Sequence, residues 1–360
     1  MGIVRTMESK KREVEEFRRV LVKCGSAYPS KKVDKEVKDP RRKEMKEEEE
    51  EDEEKLVCVT SGLSYLGLAV VNCLLYRGYS VRIAVDNEED IERLREMEIF
   101  KETRGSCDRV LAVMVKVTDI ESLIEAFAGC RGVFHTSAFV DPAGLAGYTK
   151  YMADLEVKAS ENVVLACART ESVQKCVFTS SLLACVWRDY ALHNVPPIVD
   201  HNCWSEESIC REKKLWFALG KTMAERAAWR MAEGNEVKLA TICPGLLTGP
   251  EFYPRNPTSS IAYLKGAEEM YAEGLLATTD VSRVAEAHVC IYEALRNTVC
   301  GRYICFDRVI QTEEEAVELA RKTGLPQQRY SGNTSSDSSV KLKLCNWKLL
   351  RLMSRQSRCQ

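Results

Sequence analysis

Two places in the chain bring together residues that could do chemistry on a small molecule. Ser180 and Ser181 follow the apolar run Cys176–Thr179, and Lys221 stands four residues after Phe217. Residues at i and i+4 share a helix face, so a Phe217 ring and a Lys221 ammonium would lie side by side. Phe217 has no proton to transfer, whereas Ser181 and Lys221 carry polar groups. The same spacing also fits an ordinary helix whose lysine stem covers apolar surface.

A second group of candidate residues forms the first predicted strand-to-helix turn. A dinucleotide site uses glycines there for a tight turn, for close approach of backbone to pyrophosphate, and for helix packing. On a pattern of three glycines, Gly67 fills the third position, Ser61 and Ser64 replace the first two, and Gly62 lies one place late. The N–H groups of a helix N-terminus still favour an anion. We therefore predict that the cofactor-binding turn comprises Ser61, Gly62, Ser64, Tyr65, Leu66 and Gly67.

An acidic residue follows the second predicted strand. Asp86 lies 19 residues beyond Gly67, close to the ~20 expected for the acid that bonds the adenosine ribose. A carboxylate there would repel the 2′-phosphate of NADP(H), so the sequence favours NAD(H). The alternative is that Asp86 only begins a turn that runs to Asp90.

The elements that must position these residues alternate between strand and helix. Short apolar strands between amphipathic helices predict an α/β fold with a doubly wound parallel sheet, covered on both faces. The predicted strands are Leu56–Thr60, Ser80–Val85, Arg109–Val115, Gly132–His135, Cys176–Thr179 and Val237–Cys243. Predicted helices include one that ends at Tyr76, Ile120–Ala128 and Ala153–Arg169.

The predicted organisation has four parts. Residues 1–54 form a charged tail, basic over Lys31–Lys46 and wholly acidic over Glu47–Glu54, which we expect to be disordered. Gly2 fits a loose myristoylation pattern. Residues 55–243 form the dinucleotide-binding domain, residues 244–330 a substrate lobe interleaved with the sheet, and residues 331–360 a loop with a basic tail.

Bulk composition narrows the classes of function. The net charge of -2 gives no reason to expect nucleic-acid binding, and no apolar run reaches the ~20 residues of a membrane span. The 16 cysteines include no CxxC pair and lie mostly in apolar runs, which predicts reduced thiols and a cytoplasmic location. The four histidines are scattered, so we expect no metal site.

Five motifs together give the chain a family resemblance over roughly residues 55–325. It resembles the plant cinnamoyl-CoA reductase and dihydroflavonol reductase family of extended short-chain dehydrogenases/reductases. It is most similar to the cinnamoyl-CoA reductase-like subgroup linked to lignin formation and plant defence. The motifs are Gly132–Thr136, Val177–Ser181, Asn202–Ser205, Lys221–Trp229 and Val284–His288.

The resemblance implies roles for individual residues. Ser181 would bond the substrate carbonyl. Lys221 would bond the nicotinamide ribose and lower the pKa of a tyrosine four residues earlier, the position that Phe217 occupies here. Pro244 would begin a loop over the nicotinamide of NAD(P)(H).

The chain departs from the family pattern at two further places. On our alignment, the family's coenzyme A contacts fall at Ala262, Lys265 and Ser282, and only the lysine is retained. Loss of the other contacts would weaken binding of an anionic coenzyme A. Tyr148, Tyr151 and Tyr263 are candidates for a substitute phenol.

Three hypotheses of function follow. The first is an NAD(P)(H)-dependent reductase, active or weakly active on a phenylpropanoid-like carbonyl or thioester, which the retained Ser181, Lys221 and Asp86 favour. The second is a nucleotide-binding pseudoenzyme that acts as a sensor, which Phe217 and the lost glycines favour. The third is a scaffold whose charged tail docks a partner.

Overall fold

A computed structural model describes residues 55–96, 109–136, 148–190, 198–250, 257–295, 300–323 and 342–356. The predicted charged tail, with Gly2, lies outside the described residues, as does the predicted loop at 331–339. The C-terminal tail is described only over residues 342–356.

A seven-stranded sheet forms the centre of the fold, and every strand pairing in it is parallel. Its order is β3-β2-β1-β4-β5-β7-β10. The order reverses between β1 and β4, which is the doubly wound arrangement and confirms the predicted fold class. The strands are β1 Leu56–Thr60, β2 Ser80–Val85, β3 Val110–Met114, β4 Gly132–His135, β5 Lys175–Thr179, β7 Lys238–Pro244 and β10 Gly301–Cys305.

Helices cover both faces of this sheet. On one face lie α1 (Tyr65–Tyr76), α10 (Val281–Ala294) and α12 (Trp347–Gln356), packed together over the sheet. The other face carries α3 (Ile120–Phe127), α4 (Lys150–Arg169) and α7 (Trp216–Ala232). Most residues of the central strands are buried because both faces are covered, which explains their continuous apolar runs. The segment predicted as a basic tail therefore contains α12, a helix packed against α10 and β10.

A smaller lobe has its own apolar core and lies beside the sheet. The core includes residues of the small sheet β11-β9-β8, and helices from the middle and the end of the chain pack around it. Strand β10 returns from this part of the chain to the large sheet, and the core of the smaller lobe also includes residues of α5 and α7. A substrate lobe over residues 244–330 stays a prediction. The remaining elements are α2 Glu88–Glu96, α5 Leu183–Val186, β6 Ile198–Val199, α6 Glu207–Glu212, β8 Leu246–Thr248, α8 Pro257–Tyr263, α9 Ala267–Ala272, β9 Ala277–Asp280, β11 Arg308–Val309, α11 Glu313–Thr323 and β12 Lys343–Leu344.

This topology gathers the predicted site residues at one edge. The turn after β1, Asp86 after β2, and Ser181 after β5 all stand at the carboxyl ends of parallel strands. Ligands of doubly wound sheets bind along that edge, near the point where the strand order reverses. No helix among the described residues is long and apolar enough to cross a membrane.

Candidate active site

The turn between β1 and α1 is tightly packed, although serines stand at two positions where a dinucleotide turn has glycine. Ser61 adopts a left-handed backbone with φ 53°, a conformation that costs a side-chain-bearing residue energy and that glycine adopts freely. A Cβ on Gly67 would lie 2.3 Å from the Ser61 carbonyl oxygen, and one on Gly62 would lie 2.7 Å from Ile83 Cγ2. The two retained glycines therefore permit the close packing of turn, helix and β2.

Ser64 has a structural task at the helix N-terminus. Its hydroxyl accepts a hydrogen bond from the Gly67 N–H at 3.0 Å and so caps α1. An N-cap serine stabilises a helix by ~1 kcal/mol and satisfies one of the free N–H groups that an anion would otherwise use. The narrow turn and the helix N-terminus still fit a pyrophosphate, with one donor already engaged.

Tyr65 links this turn to the loop that follows β8. The Tyr65 hydroxyl donates to the Pro250 carbonyl at 2.9 Å, and a Cβ on Gly249 would meet that hydroxyl at 2.2 Å. Leu66 is buried in the core between α1 and the sheet. Pro244 ends β7, and its carbonyl accepts from Leu182 N–H at 2.8 Å, which joins this strand end to the segment after β5.

Asp86 stands exposed just beyond the end of β2. Asn87 Nδ2 donates to Asp86 Oδ1 at 2.7 Å, and Asn87 Oδ1 accepts the Asp90 N–H at 2.9 Å. The carboxylate is therefore part of a turn, as the alternative interpretation holds, and it also lies at the strand end where a ribose acid belongs.

Ser181 is buried at the carboxyl end of β5. Its Oγ accepts the Leu183 N–H at 3.2 Å at the start of α5, which packs against α7. This places the serine segment beside the helix that carries Phe217 and Lys221.

Phe217 and Lys221 share one face of α7, as their spacing predicted. Lys221 Nζ lies 5.6 Å from the centroid of the Phe217 ring, and both residues are buried. A cation over an aromatic ring is stabilised by the ring's electron density. The ring keeps the volume of a tyrosine and offers no hydroxyl.

Lys221 forms a buried ion pair with Glu156 of α4, which our sequence analysis did not foresee. The side chains of Lys221 and Glu156 are 5% and 1% exposed, and Lys221 Nζ contacts Glu156 Oε1. The Tyr148 hydroxyl donates to the other carboxylate oxygen, Oε2. Burial, followed by the charge and hydrogen bond of Glu156, raises the pKa of Tyr148 well above its usual value. Tyr148 is therefore a neutral phenol.

Tyr148 also contacts α7 directly. Its ring packs edge-on against Phe217 with centroids 5.0 Å apart. A Cβ on Gly220 would lie 2.8 Å from the Tyr148 hydroxyl, so a glycine in mid-helix makes room for this phenol. Of the other two candidate tyrosines, Tyr151 is 70% exposed, and Tyr263 is buried in the core of the smaller lobe.

His135 adds a buried imidazole at the end of β4. Its Nδ1 lies 2.8 Å from Thr60 Oγ1, and Thr136 Oγ1 donates to the Thr60 carbonyl at 2.6 Å. Burial, and then the positive charge of Lys221, lower the pKa of His135 to about 3. The imidazole is thus neutral at physiological pH and lies within the electrostatic reach of Lys221.

A second buried ion pair lies one helical turn further along α7. Glu225 accepts from Arg302 Nε at 2.8 Å and Nη2 at 3.1 Å, from Ser180 Oγ at 2.7 Å and from Thr241 Oγ1 at 2.5 Å. The Arg302 guanidinium lies 3.6 Å from the centroid of the Trp204 ring. This network ties β5, β7, β10 and α7 together beneath Ser181.

The pairing of Glu156 leaves a sign in the sequence that is recognisable once the fold is known. Along α4 the buried face runs through Met152, Glu156, Ala159 and Val163, so an acid occupies the apolar stripe of the helix. Buried carboxylates are rarely unpaired, which points to a distant cation. Which cation cannot be read from local spacing.

The positions equivalent to coenzyme A contacts offer one cation. Lys265 Nζ donates to the Lys214 carbonyl at 2.6 Å, and Ser282 Oγ donates to Asp280 Oδ1 at 2.5 Å. Ala262 has no polar side chain. Two of these three positions therefore carry no charge for a phosphate, as the sequence indicated.

The fold and the site residues are those expected of a dinucleotide-fold oxidoreductase of the extended short-chain type. Comparison with known proteins extends this assignment. Residues 58–329 match the 3-beta hydroxysteroid dehydrogenase/isomerase family. Cinnamoyl-CoA reductase 2 of Medicago truncatula is 34% identical over 269 residues, 74% of this chain and 76% of that protein. Tetraketide alpha-pyrone reductase 1 of Arabidopsis thaliana is 30% identical over 80% of this chain and 90% of its own length.

A solved structure has the same fold. Yeast methylglyoxal/isovaleraldehyde reductase Gre2, complexed with NADPH, superposes with a TM-score of 0.63 at 18% identity and covers 83% of this chain and 93% of its own. The chain belongs to the 3-beta hydroxysteroid dehydrogenase/isomerase family of extended short-chain dehydrogenases/reductases, a class of NAD(P)-dependent oxidoreductases, and resembles cinnamoyl-CoA reductases. The predicted family resemblance is confirmed.

Proposed function

We propose that this protein is an NAD(P)(H)-dependent reductase of low turnover that acts on a phenylpropanoid-like carbonyl or thioester in the cytoplasm. The observation that carries the proposal is the retention of Ser181 and Lys221 at the edge of the sheet that also holds the β1–α1 turn. The names of its relatives, a cinnamoyl-CoA reductase and a tetraketide pyrone reductase, support this class of substrate. A role in lignin or defence metabolism is the biological setting that we propose.

The proposed roles follow the site geometry. A bound dinucleotide would supply the hydride. The turn from Ser61 to Gly67 would hold the pyrophosphate against the α1 N-terminus, and Pro244 would start the segment that covers the nicotinamide. Ser181 would bond the substrate carbonyl. Phe217 donates no proton, so the alkoxide formed by hydride transfer would take its proton from Ser181 or from a water beside Lys221. We therefore expect a slow chemical step, because a general acid typically contributes ~10²–10⁴-fold.

We propose NAD(H) as the preferred cofactor because Asp86 presents a carboxylate at the end of β2. Titration with NADH and NADPH, followed by nucleotide fluorescence, should give the lower Kd for NADH. Asp86→Asn should tighten NADPH binding several-fold, since the charge that repels the 2′-phosphate is removed. Glu89→Gln, an exposed acid in the same segment, is the matched control and should change neither Kd. Tighter NADPH binding by the unmodified protein would contradict the preference.

Steady-state assays with cinnamoyl-CoA and with cinnamaldehyde-type carbonyls test the reductase itself. We expect slow oxidation of the cofactor that requires substrate and falls further in Ser181→Ala. A protein that binds dinucleotide and gives no turnover with either substrate class would instead support the pseudoenzyme. A protein that binds neither dinucleotide would overturn the reductase and leave the scaffold hypothesis.

A further inference from the structure

A reductase of this class would combine a lysine ammonium with a phenol, and here a group of each kind contacts the Glu156 carboxylate. Lys221 Nζ contacts Oε1 and the Tyr148 hydroxyl donates to Oε2, so both donors point at one buried anion. A lysine ammonium favours a nearby phenolate only through its positive charge. A carboxylate in contact with that ammonium opposes this effect, because the pair has no net charge.

The contact is part of the packing between α4 and α7. Gly220 permits the Tyr148 hydroxyl to approach α7, and the Tyr148 ring lies against Phe217. Glu156 is on the buried stripe of α4, where an uncompensated carboxylate would be strongly destabilising. Tyr148, Glu156 and Lys221 thus form one cluster that fills the space beside position 217.

Other charged groups face this cluster from the neighbouring elements. Asp154 and Glu156 on α4 both act on Tyr148, and His135 on β4 responds to Lys221. The Lys221 charge acts on His135, and the Glu156 charge, after burial, acts on Tyr148. The Phe217 ring contacts both Lys221 and Tyr148, so position 217 is near both charges.

We propose that Glu156 is a positioning residue that holds and neutralises Lys221, so that a hydroxyl at position 217 becomes an effective proton donor only when this carboxylate is removed. The inference deepens the proposed reductase function and rests on it for its catalytic consequence. Phe217 and Glu156 are then two linked departures from the chemistry of the family. Restoring the phenol alone leaves the site electrostatically unprepared.

Four proteins test the proposal: the unmodified chain, Phe217→Tyr, Glu156→Gln and the double variant. The amide of Glu156→Gln can still accept from Tyr148 or Lys221, which preserves the shape of the cluster. Glu156→Leu, of similar volume, is the second variant, and urea unfolding checks that each protein is folded. Glu161→Gln, in the Phe217→Tyr background, is the control for removal of an acid further along α4.

The first measurement needs neither cofactor nor substrate. Tyrosine labelled with ¹³C at Cζ gives one additional resonance in Phe217→Tyr, and its pH titration reports the pKa of the introduced phenol. We expect this pKa to fall by about one unit or more when Glu156→Gln is added, and to stay unchanged with Glu161→Gln. Equal pKa values with and without Glu156 would overturn the proposal.

The second measurement is the rate of carbonyl reduction. We expect the double variant to exceed the unmodified protein by about 10²-fold or more. Phe217→Tyr alone should gain much less, and the pH optimum of kcat/KM should be lower in the double variant. A single Phe217→Tyr change that already gives the full gain would overturn the proposal. If no protein binds dinucleotide, the proposed function fails, while the phenol titration still decides the role of Glu156.

Discussion

The two buried ion pairs of α7 differ in the groups that surround them. Arg302 and Glu225 share two hydrogen bonds, and Ser180, Thr241 and the Trp204 ring complete their surroundings. Lys221 and Glu156 are almost equally buried, yet the contacts around them include one hydroxyl, from Tyr148, and an imidazole that must stay neutral.

One of the two ion pairs on α7 therefore supports the fold, and the other lies at the candidate active site. Glu225 joins three strands of the large sheet to α7, so its network fixes the frame on which Ser181 stands. The Lys221 pair lies one turn away at the carboxyl edge, where a ligand would bind. Breaking a buried ion pair is strongly destabilising, and more so where other buried hydrogen bonds are lost with it.

Breaking each pair from its cationic side should give the largest effect. Arg302→Met leaves the Glu225 carboxylate buried without a cation and removes donors to the carbonyls of Ala184 and Cys203. We expect the free energy of unfolding to fall by about 3–5 kcal/mol. Lys221→Met should cost no more than the lower end of that range, because Arg302→Met also takes the donors from the Ala184 and Cys203 carbonyls.

Urea unfolding measures both losses. Arg308→Met, which removes an exposed partner of Glu315, is the control and should cost less than about 1 kcal/mol. Equal losses for Arg302→Met and Lys221→Met would show that the two pairs do not differ as their surroundings suggest.

The pH dependence of stability sharpens the comparison through His135. Its folded pKa of about 3 lies below the value near 6.5 of an unfolded histidine, so the unfolded chain takes up the proton first as pH falls. This contribution to stability is present above pH 6.5 and is lost as pH falls toward 3. Between pH 7 and 5 it amounts to about 2 kcal/mol.

His135→Asn should flatten the profile by that amount in urea unfolding at several pH values. His201, whose pKa is lowered by burial and by charges that include Arg302, is the counterpart near the other pair. Because His201 is only half-buried, His201→Asn should change the profile less than His135→Asn. His288 is buried with a pKa lowered to about 4 and remains in both variants as a common background. An unchanged profile of stability against pH in His135→Asn would show that His135 does not report the charge of Lys221.

Removing one hydroxyl that donates to each carboxylate should give the smallest effects on stability. Ser180→Ala and Tyr148→Phe each delete a single donor, from Glu225 and Glu156 respectively. We expect each to lower the free energy of unfolding by about 1–3 kcal/mol, with the larger loss in Tyr148→Phe, because Glu225 keeps more donors. Thermal unfolding of the two variants beside the parent measures this difference. A larger loss in Ser180→Ala would reverse the ranking of the two pairs.

The sequence predicts the large sheet well and the charge pairs hardly at all. The first six strands of the large sheet were located to within one residue at each end, because strands buried on both faces leave unbroken apolar runs. The short strands of the small sheet have too few residues to show a period. Helix α12 was missed for a different reason, since its charged residues suggested a tail.

The site divides in the same way. Ser181, Phe217 and Lys221 follow a strand end and an i, i+4 spacing, which are local signals, and the family resemblance gives them roles that stay predictions. Glu156 and Arg302 join partners that are far apart in the chain, so their pairing becomes visible only when helix and strand are assembled. The turn between β1 and α1 is an intermediate case. Its residues were predicted, whereas the left-handed backbone of Ser61 and the helix cap formed by Ser64 were not.

Strand β10 has a consequence for the order in which the molecule can be made. Its Arg302 supplies the cation for Glu225, which is synthesised 77 residues earlier. A ribosome-bound chain that has emerged only as far as β7 has the carboxylate and its two hydroxyl partners, and it lacks the positive charge. The core around the first six strands of the large sheet therefore reaches its final packing only after β10 has emerged from the ribosome.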